Sequence, residues 1–235
     1  MLKYIIIYIV FIINIIKRTS TITFVNFFVN FFNLKIKVVG KKNLQNYSKL
    51  KLVIMSNHQN GIDHPIIIHT LNSFTNRQKN IYTIVKHNLL GDEIDNNPIS
   101  DFFSLFKTNI YNKLNFISYE RGNKKDGEKI KKEMLKLLNR NNNILLFPEG
   151  NCTRSGIPQD FKPGCFRLCA ENNIWILPIS LKFNKNIGLN KDDSVNLKKW
   201  FNITATVHIH EPVFHHDWEI LKNKVLNKIR GPLIK

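Results

Sequence analysis

Cysteine is scarce in this chain: Cys152, Cys165 and Cys169 are the whole supply among 235 residues. Three thiols give no disulfide framework and suit a reducing compartment. Acidic residues are few as well. Asp and Glu number 17 against 35 Lys and Arg, a formal charge of +18, and a basic excess of that size favours anionic partners: nucleic acid, membrane surfaces or phosphorylated substrates. No zinc finger, basic-helix heptad or other nucleic-acid signature accompanies the charge, so nucleic acid is not expected as a partner. Internal repeats and low-complexity linkers are absent, which argues against a repeat architecture. Also missing is an apolar run of the roughly 20 residues that a spanning helix needs. The chain has enough apolar residues, 43%, for one domain of ordinary size with a short appendage. Asn, Ile and Lys are frequent throughout, so a lone surface Asn or Lys says little.

Two apolar stretches open the chain. Residues 4–16 are almost wholly apolar. A signal peptide would have a small-residue cleavage site next, and Asn14, Lys17 and Arg18 stand there instead. In residues 22–34, Asn26, Asn30 and Asn33 recur at helical spacing, while Phe24, Phe27, Phe28, Phe31 and Phe32 cover much of the remaining surface. That pattern predicts an amphipathic helix suited to a membrane interface. Lys17 and Arg18 before it, and Lys35, Lys37, Lys41 and Lys42 after it, suit anionic headgroups on the cytoplasmic side. The expectation is a two-helix membrane-associated segment over 1–34, dipping into one leaflet, with one span plus one interfacial helix as the alternative.

From residue 35 to 235 the pattern changes to a single further domain. Short β-branched runs predict strands at 36–39, 52–55, 81–85, 116–118, 144–147, 175–180 and 203–209. Helical patterns lie between several of them, at 64–74, 127–140, 163–171 and 217–229. Such alternation implies an α/β fold with a mostly parallel central sheet flanked by helices.

Two segments carry candidate chemistry. The first is Asn57-His58-Gln59-Asn60-Gly61-Ile62-Asp63, between a strand and a helix. Such junctions lie at the carboxyl edge of the sheet, where open α/β folds bind ligands. A histidine is the usual general base near neutral pH, and a carboxylate on one ring nitrogen fixes its tautomer and stabilises the imidazolium. Gly61 allows a tight turn that would bring His58 and Asp63 together; the plainer reading makes Asp63 a helix N-cap and His58 a loop residue. The second segment is Phe147-Pro148-Glu149-Gly150, a strand-ending turn whose backbone N–H groups could face an anion. Beyond it, Phe161-Lys162-Pro163-Gly164 places a proline suited to the first turn of a helix, whose amino end attracts phosphate or carboxylate.

Together these blocks resemble the glycerolipid acyltransferase family, which includes lysophosphatidate and lysophosphatidylcholine acyltransferases. His58 and Asp63, preceded by Asn57, match the family's His-x4-Asp motif. Phe116 to Arg121 resembles its strand ending in arginine, Phe147 to Gly150 its Phe-Pro-Glu-Gly, and Leu177-Pro178-Ile179 its proline-containing strand; Lys86 also fits. The resemblance runs from about residue 35 to 212. It implies that His58, oriented by Asp63, takes a proton from an acceptor hydroxyl, whose oxygen attacks the thioester of acyl-CoA directly. No serine or cysteine nucleophile, metal or cofactor is required. Asn57, Glu149, Gly150 and Arg121 would shape the acceptor pocket, with Arg121 as the charged clamp, and Arg154 and Lys162 would add charge. The implied partners are membrane lipids, acyl-CoA and a lysophospholipid or glycerol-phosphate acceptor.

After Gly150 the chain departs from the lysophosphatidate pattern, reading Asn151-Cys152-Thr153-Arg154-Ser155. Without a gap, Cys152 stands where the phosphate-binding arginine would be, as in the lysophosphatidylcholine type; with a two-residue insertion, Thr153-Arg154-Ser155 would fill the place. Glycerol-3-phosphate acylation, and a non-catalytic membrane-binding protein with a decayed fold, are competing readings. His208 and His210 alternate on one strand, with His215 and His216 beyond, but their spacing is weak support for zinc. Cys165 and Cys169, four apart on a helix, read as small core residues. The lysines from 124 to 132 read as a solvated helix face.

Overall fold

A computed structural model describes residues 21–45, 50–74, 80–86, 115–119, 124–153, 155–187 and 197–234. Seven strands form one sheet: β1 (Lys35–Val39), β2 (Leu52–Ser56), β3 (Ile81–Lys86), β4 (Phe116–Tyr119), β5 (Asn143–Leu146), β6 (Trp175–Phe183) and β7 (Thr204–Ile209). Their order is β1-β7-β6-β2-β5-β3-β4. Five neighbours, from β6 to β4, run parallel. The β6–β7 pairing is antiparallel, and β1 runs with β7. The expected α/β class with a mostly parallel sheet is therefore present.

Strand β2 lies at the centre and is buried along its whole length. Alternate side chains of one strand face opposite sides of the sheet, and β2 shows this directly. Leu52 and Ile54 join one core cluster, with residues of α1 (Thr21–Phe31) and α2 (Asp63–Phe74). Val53 and Met55 join the other, with residues of α3 (Lys124–Asn139), α4 (Gly164–Glu171) and α5 (Trp218–Arg230). The result is three layers, and a near-continuous apolar run in β2 is what burial on both faces demands.

Helix α1 occupies the second of the two apolar stretches that were expected to form a membrane-associated segment. It has 11 residues, about 16 Å of helix, against roughly 30 Å of hydrocarbon. No helix among the described residues is long and apolar enough to cross a membrane. Its apolar face meets protein: Val25, Val29 and Phe32 are buried, and the helix lies against α2. Phe28 and Phe32 pack on the Trp200 ring, and Phe31 and Phe32 on Phe201. Sequence periodicity finds an apolar stripe, but not whether lipid or protein covers it. Asn26 and Asn30 do face outward, and Asn26 Oδ1 pairs with the His69 ring at 2.9 Å. The stretch at 4–16 lies outside the described residues.

Candidate active site

The chemistry gathers where β2 and β5 end side by side, in register at Met55 and Leu146. After Ser56 the chain leaves β2, turns through Gln59 and Asn60, and enters α2 at Asp63. The Asp63 carboxylate organises that turn. Its Oδ2 accepts from the Gln59 N–H at 2.5 Å and the Asn60 N–H at 2.9 Å, and pairs with His58 Nδ1 at 2.9 Å. Capping and orienting, alternatives in sequence terms, are thus one arrangement: the same oxygen holds the turn's amides and the imidazole. Asp63 is fully buried, and its Oδ1 has no partner among the described residues.

The second segment closes on His58 from the β5 side. Glu149 Oε1 accepts the His58 N–H at 2.8 Å. The Phe147 ring stacks on the imidazole at 4.1 Å between centroids. Thr153 donates both its N–H (2.7 Å) and its hydroxyl (3.2 Å) to the His58 carbonyl. These bonds hold the segment that carries Cys152 against the His58 backbone.

Burial alone would push the His58 pKa down. The hydrogen bonds to Asp63 and Cys152, with their charges, more than reverse this and raise it from 6.5 to about 10. Burial lifts the Glu149 carboxyl from 4.5 to about 7, against the hydrogen bond from the His58 N–H. Its Oε2 is buried with no partner among the described residues. His64 takes no part in the dyad. It turns away to Thr83 Oγ1 at 3.0 Å, and burial, then the His58 charge, push it down to about 3.

The other expected site residues fall into three groups. Asn57 is fully buried and committed to the neighbouring strand: its amide donates to the Leu181 carbonyl at 2.9 Å and accepts the Leu181 N–H at 2.8 Å. Gly150, at φ 76°, lies against the Lys162 side chain, and the Lys162 N–H binds the Pro148 carbonyl at 2.9 Å; these backbone contacts bring an exposed ammonium group to the turn. Arg121 and Arg154 lie outside the described residues. Sequence reasoning missed Cys152 and Thr153 as neighbours of His58, and Gln59 and Asn60 as anchors. Gln59 Nε2 donates to the Leu181 carbonyl at 3.3 Å and Asn60 Nδ2 to the Ile187 carbonyl at 2.8 Å. The adjacency of Thr153 and Cys152 to the motif glutamate was the one available signal.

The set-aside residues are placed elsewhere. His210 pairs with Ser180 Oγ at 2.7 Å, and Ser180 also binds the Ile229 carbonyl at the end of α5. Cys169 is buried in α4 beside Cys165. On α3, Lys131 and Lys136 pair with Glu128 and Glu133 on the solvent side.

Comparison with known proteins follows the same lines. No curated protein matches the chain. Among solved structures it is similar to the 1-acyl-sn-glycerophosphate (LPA) acyltransferase PlsC from Thermotoga maritima, with a TM-score of 0.60 and 17% identity over 91% of this chain and 77% of that one. At that identity the likeness is one of fold. The family model described as Acyltransferase matches residues 35–182, a span that contains all four motif blocks and the whole His58–Asp63–Glu149 arrangement. The chain belongs to the acyltransferase family that its motifs resemble.

Proposed function

We propose that the protein esterifies the free hydroxyl of a lysophospholipid with an acyl group taken from acyl-CoA, in phospholipid synthesis or remodelling. The observation that carries this reading is the buried Asp63 carboxylate on His58 Nδ1, which leaves the second ring nitrogen to exchange protons with reactants. In its deprotonated form the imidazole takes the proton of an acceptor hydroxyl beside that nitrogen, the hydroxyl oxygen attacks the acyl thioester, and the CoA sulfur departs protonated. His58 serves as base and acid in turn. The open Glu149 Oε2 supports a hydroxyl donor at this place, and the Lys162 ammonium beside Gly150 supports an anionic group on the acceptor. A lysolipid acceptor requires work at a membrane surface, and the charge of +18 supports an anionic cytoplasmic face there.

The test is release of free CoA from acyl-CoA with a panel of lysolipids and glycerol 3-phosphate, comparing wild type with His58→Ala. Turnover that needs both substrates and falls about 100- to 10,000-fold in the variant supports the proposal. Equal turnover of the two proteins refutes His58 as the base. No turnover with any acceptor supports a non-catalytic protein instead.

A further inference from the structure

Residues 148–162 return on themselves beside the dyad. They leave the turn that carries Glu149, and the Lys162 N–H closes the loop on the Pro148 carbonyl at 2.9 Å. A loop of about 15 residues whose ends meet is of a kind that frequently carries function. One flank is tied to the dyad. Thr153 binds the His58 carbonyl, Asn57 Nδ2 donates to the Gly156 carbonyl at 3.4 Å, and Gly156 lies against the Gln59 amide. The far flank is tied to α5. Arg230 Nε donates to the Pro158 carbonyl at 2.9 Å, and Lys222 Nζ reaches the Asp160 carboxylate at 3.0 Å. An arginine in the last turn of a helix ordinarily serves that helix's own carbonyls; this one serves a residue 72 positions away. Pro158 is buried, and a buried residue's carbonyl needs a donor. The Asp160 side chain is 73% exposed, so its ion pair is the weaker of the two ties.

The helix that holds the loop rests on the strand that holds the dyad. Ser180 Oγ of β6 donates to the Ile229 carbonyl at 2.8 Å, and Lys182 Nζ of the same strand donates to the Pro232 carbonyl at 3.2 Å. Leu181, between them, binds Asn57 and Gln59 on either side of His58. Three successive residues of β6 thus fix the end of α5 and the His58 segment relative to one another, and Arg230 carries that reference out to Pro158. Helix α5 lies beyond the matched span of 35–182.

We propose that Arg230 is a positioning residue that sets the acceptor side of the site. This rests on the function proposed above and deepens it. The loop carries the residues after Gly150 that depart from the lysophosphatidate pattern, and it ends at Lys162. A loop held in one place presents one arrangement of polar groups to the acceptor headgroup. Loss of the Arg230 bond leaves the flank on His58 in place and frees the other. The dyad then stays intact while the headgroup side loosens, and a misplacement of about 1 Å costs on the order of 100-fold in rate.

The experiment compares the full chain as wild type, as Arg230→Met, which keeps an apolar stem and removes the donor, and as Arg230→Lys, which keeps a donor. Hydrogen exchange reads the anchor without activity: amides at 156–161 should exchange at least about 10-fold faster in Arg230→Met, with those of β2 within about twofold of wild type. Turnover of acyl-CoA with lysophosphatidate and with lysophosphatidylcholine reads the positioning. For the better acceptor kcat/KM should fall about 10- to 100-fold in Arg230→Met, and the ratio of the two acceptors should change at least about fivefold. Arg230→Lys should recover both to within about threefold of wild type. Less folded protein lowers both acceptors alike and leaves their ratio unchanged, so the ratio decides even where Arg230→Met also loosens β2. Unchanged exchange at 156–161 overturns the anchor. Faster exchange with a ratio within about twofold of wild type overturns the positioning role and leaves the function intact. A wild type that turns over with no acceptor overturns the function and the catalytic role of the anchor with it, while exchange still reports whether the anchor exists.

Discussion

Glu149→Gln separates stability from activity at this site. In the folded protein Glu149 Oε1 accepts the His58 N–H, while Oε2 is buried without a partner among the described residues. Burial raises the carboxyl from 4.5 to about 7. A folded-state pKa above the unfolded value means a contribution to stability that is present in full below pH 4.5 and lost as the pH rises through 7. At about 1.36 kcal/mol per unit, the shift corresponds to roughly 3 kcal/mol. Glutamine has no such dependence, and its Oε1 can still take the His58 N–H. The stability of Glu149→Gln relative to wild type should therefore rise by roughly 3 kcal/mol from pH 4.5 to above 7, or about 6–12 °C in melting temperature for a chain of this size. The assay is thermal melting of both proteins at closely spaced pH values; groups common to the two cancel in the difference. A difference that stays flat across this interval refutes the placement of an ionisable, buried Glu149. Over the same interval kcat/KM with acyl-CoA and lysolipid should fall about 10- to 100-fold, because an amide N–H₂ replaces the open acceptor oxygen.

Asp63→Asn keeps an oxygen for the Gln59 and Asn60 amides but removes the charge from His58 Nδ1. The His58 ring, followed by NMR, should titrate at lower pH than in wild type, with turnover reduced by about 100-fold or more; an unchanged titration sinks the pairing. Asn57→Ala strips both hydrogen bonds from the Leu181 backbone inside the core and should cost about 2–4 kcal/mol in chemical denaturation, whereas a loss below about 0.5 kcal/mol would make those bonds irrelevant. Gly156→Ala should cost about 1–3 kcal/mol, since Gly156 has φ 76° and an added Cβ would come within 2.8 Å of the buried Gln59 amide; a melting curve matching wild type counts against that contact.

Much of the fold was legible because burial on both faces leaves a strong mark. The runs at 52–55 and 175–179 are unbroken apolar stretches of the kind a strand buried on both faces requires, and β2 and β6 occupy them. The direction of β1 and β7 was not legible, since period-2 alternation is the same read either way along a strand. The fate of α1 was hidden for a related reason: Val25, Val29 and Phe32 advertise an apolar face, but the Trp200 and Phe201 rings that cover it lie far along the chain. In the site, the positions of His58 and Asp63 followed from a strand-to-helix junction with a glycine in the turn. Cys152 did not, because it was compared with an arginine that binds phosphate, and a sequence comparison shows what replaces a residue, not what the replacement touches.

The deeper link between fold and site is that both draw on the same hydrogen bonds. Asp63 Oδ2 closes the β2–α2 turn with two backbone amides and orients the imidazole with its third contact. Asn57 and Gln59, on either side of His58, bind the backbone at Leu181 of β6. Thr153 binds the backbone of His58 itself. A change at Asn57 or Asp63 should therefore disturb folding and proton transfer together, because these bonds fix the segment that carries His58. Glu149 is different: one oxygen binds the His58 N–H and the other has no partner among the described residues. A protein that bears a buried, unpaired carboxylate oxygen gives up stability, and the natural return is a partner that arrives with the substrate. On this reasoning the acceptor hydroxyl is held by Glu149 Oε2, and a bound lysolipid should bring the Glu149 pKa down toward 4.5 as it supplies a hydrogen bond there.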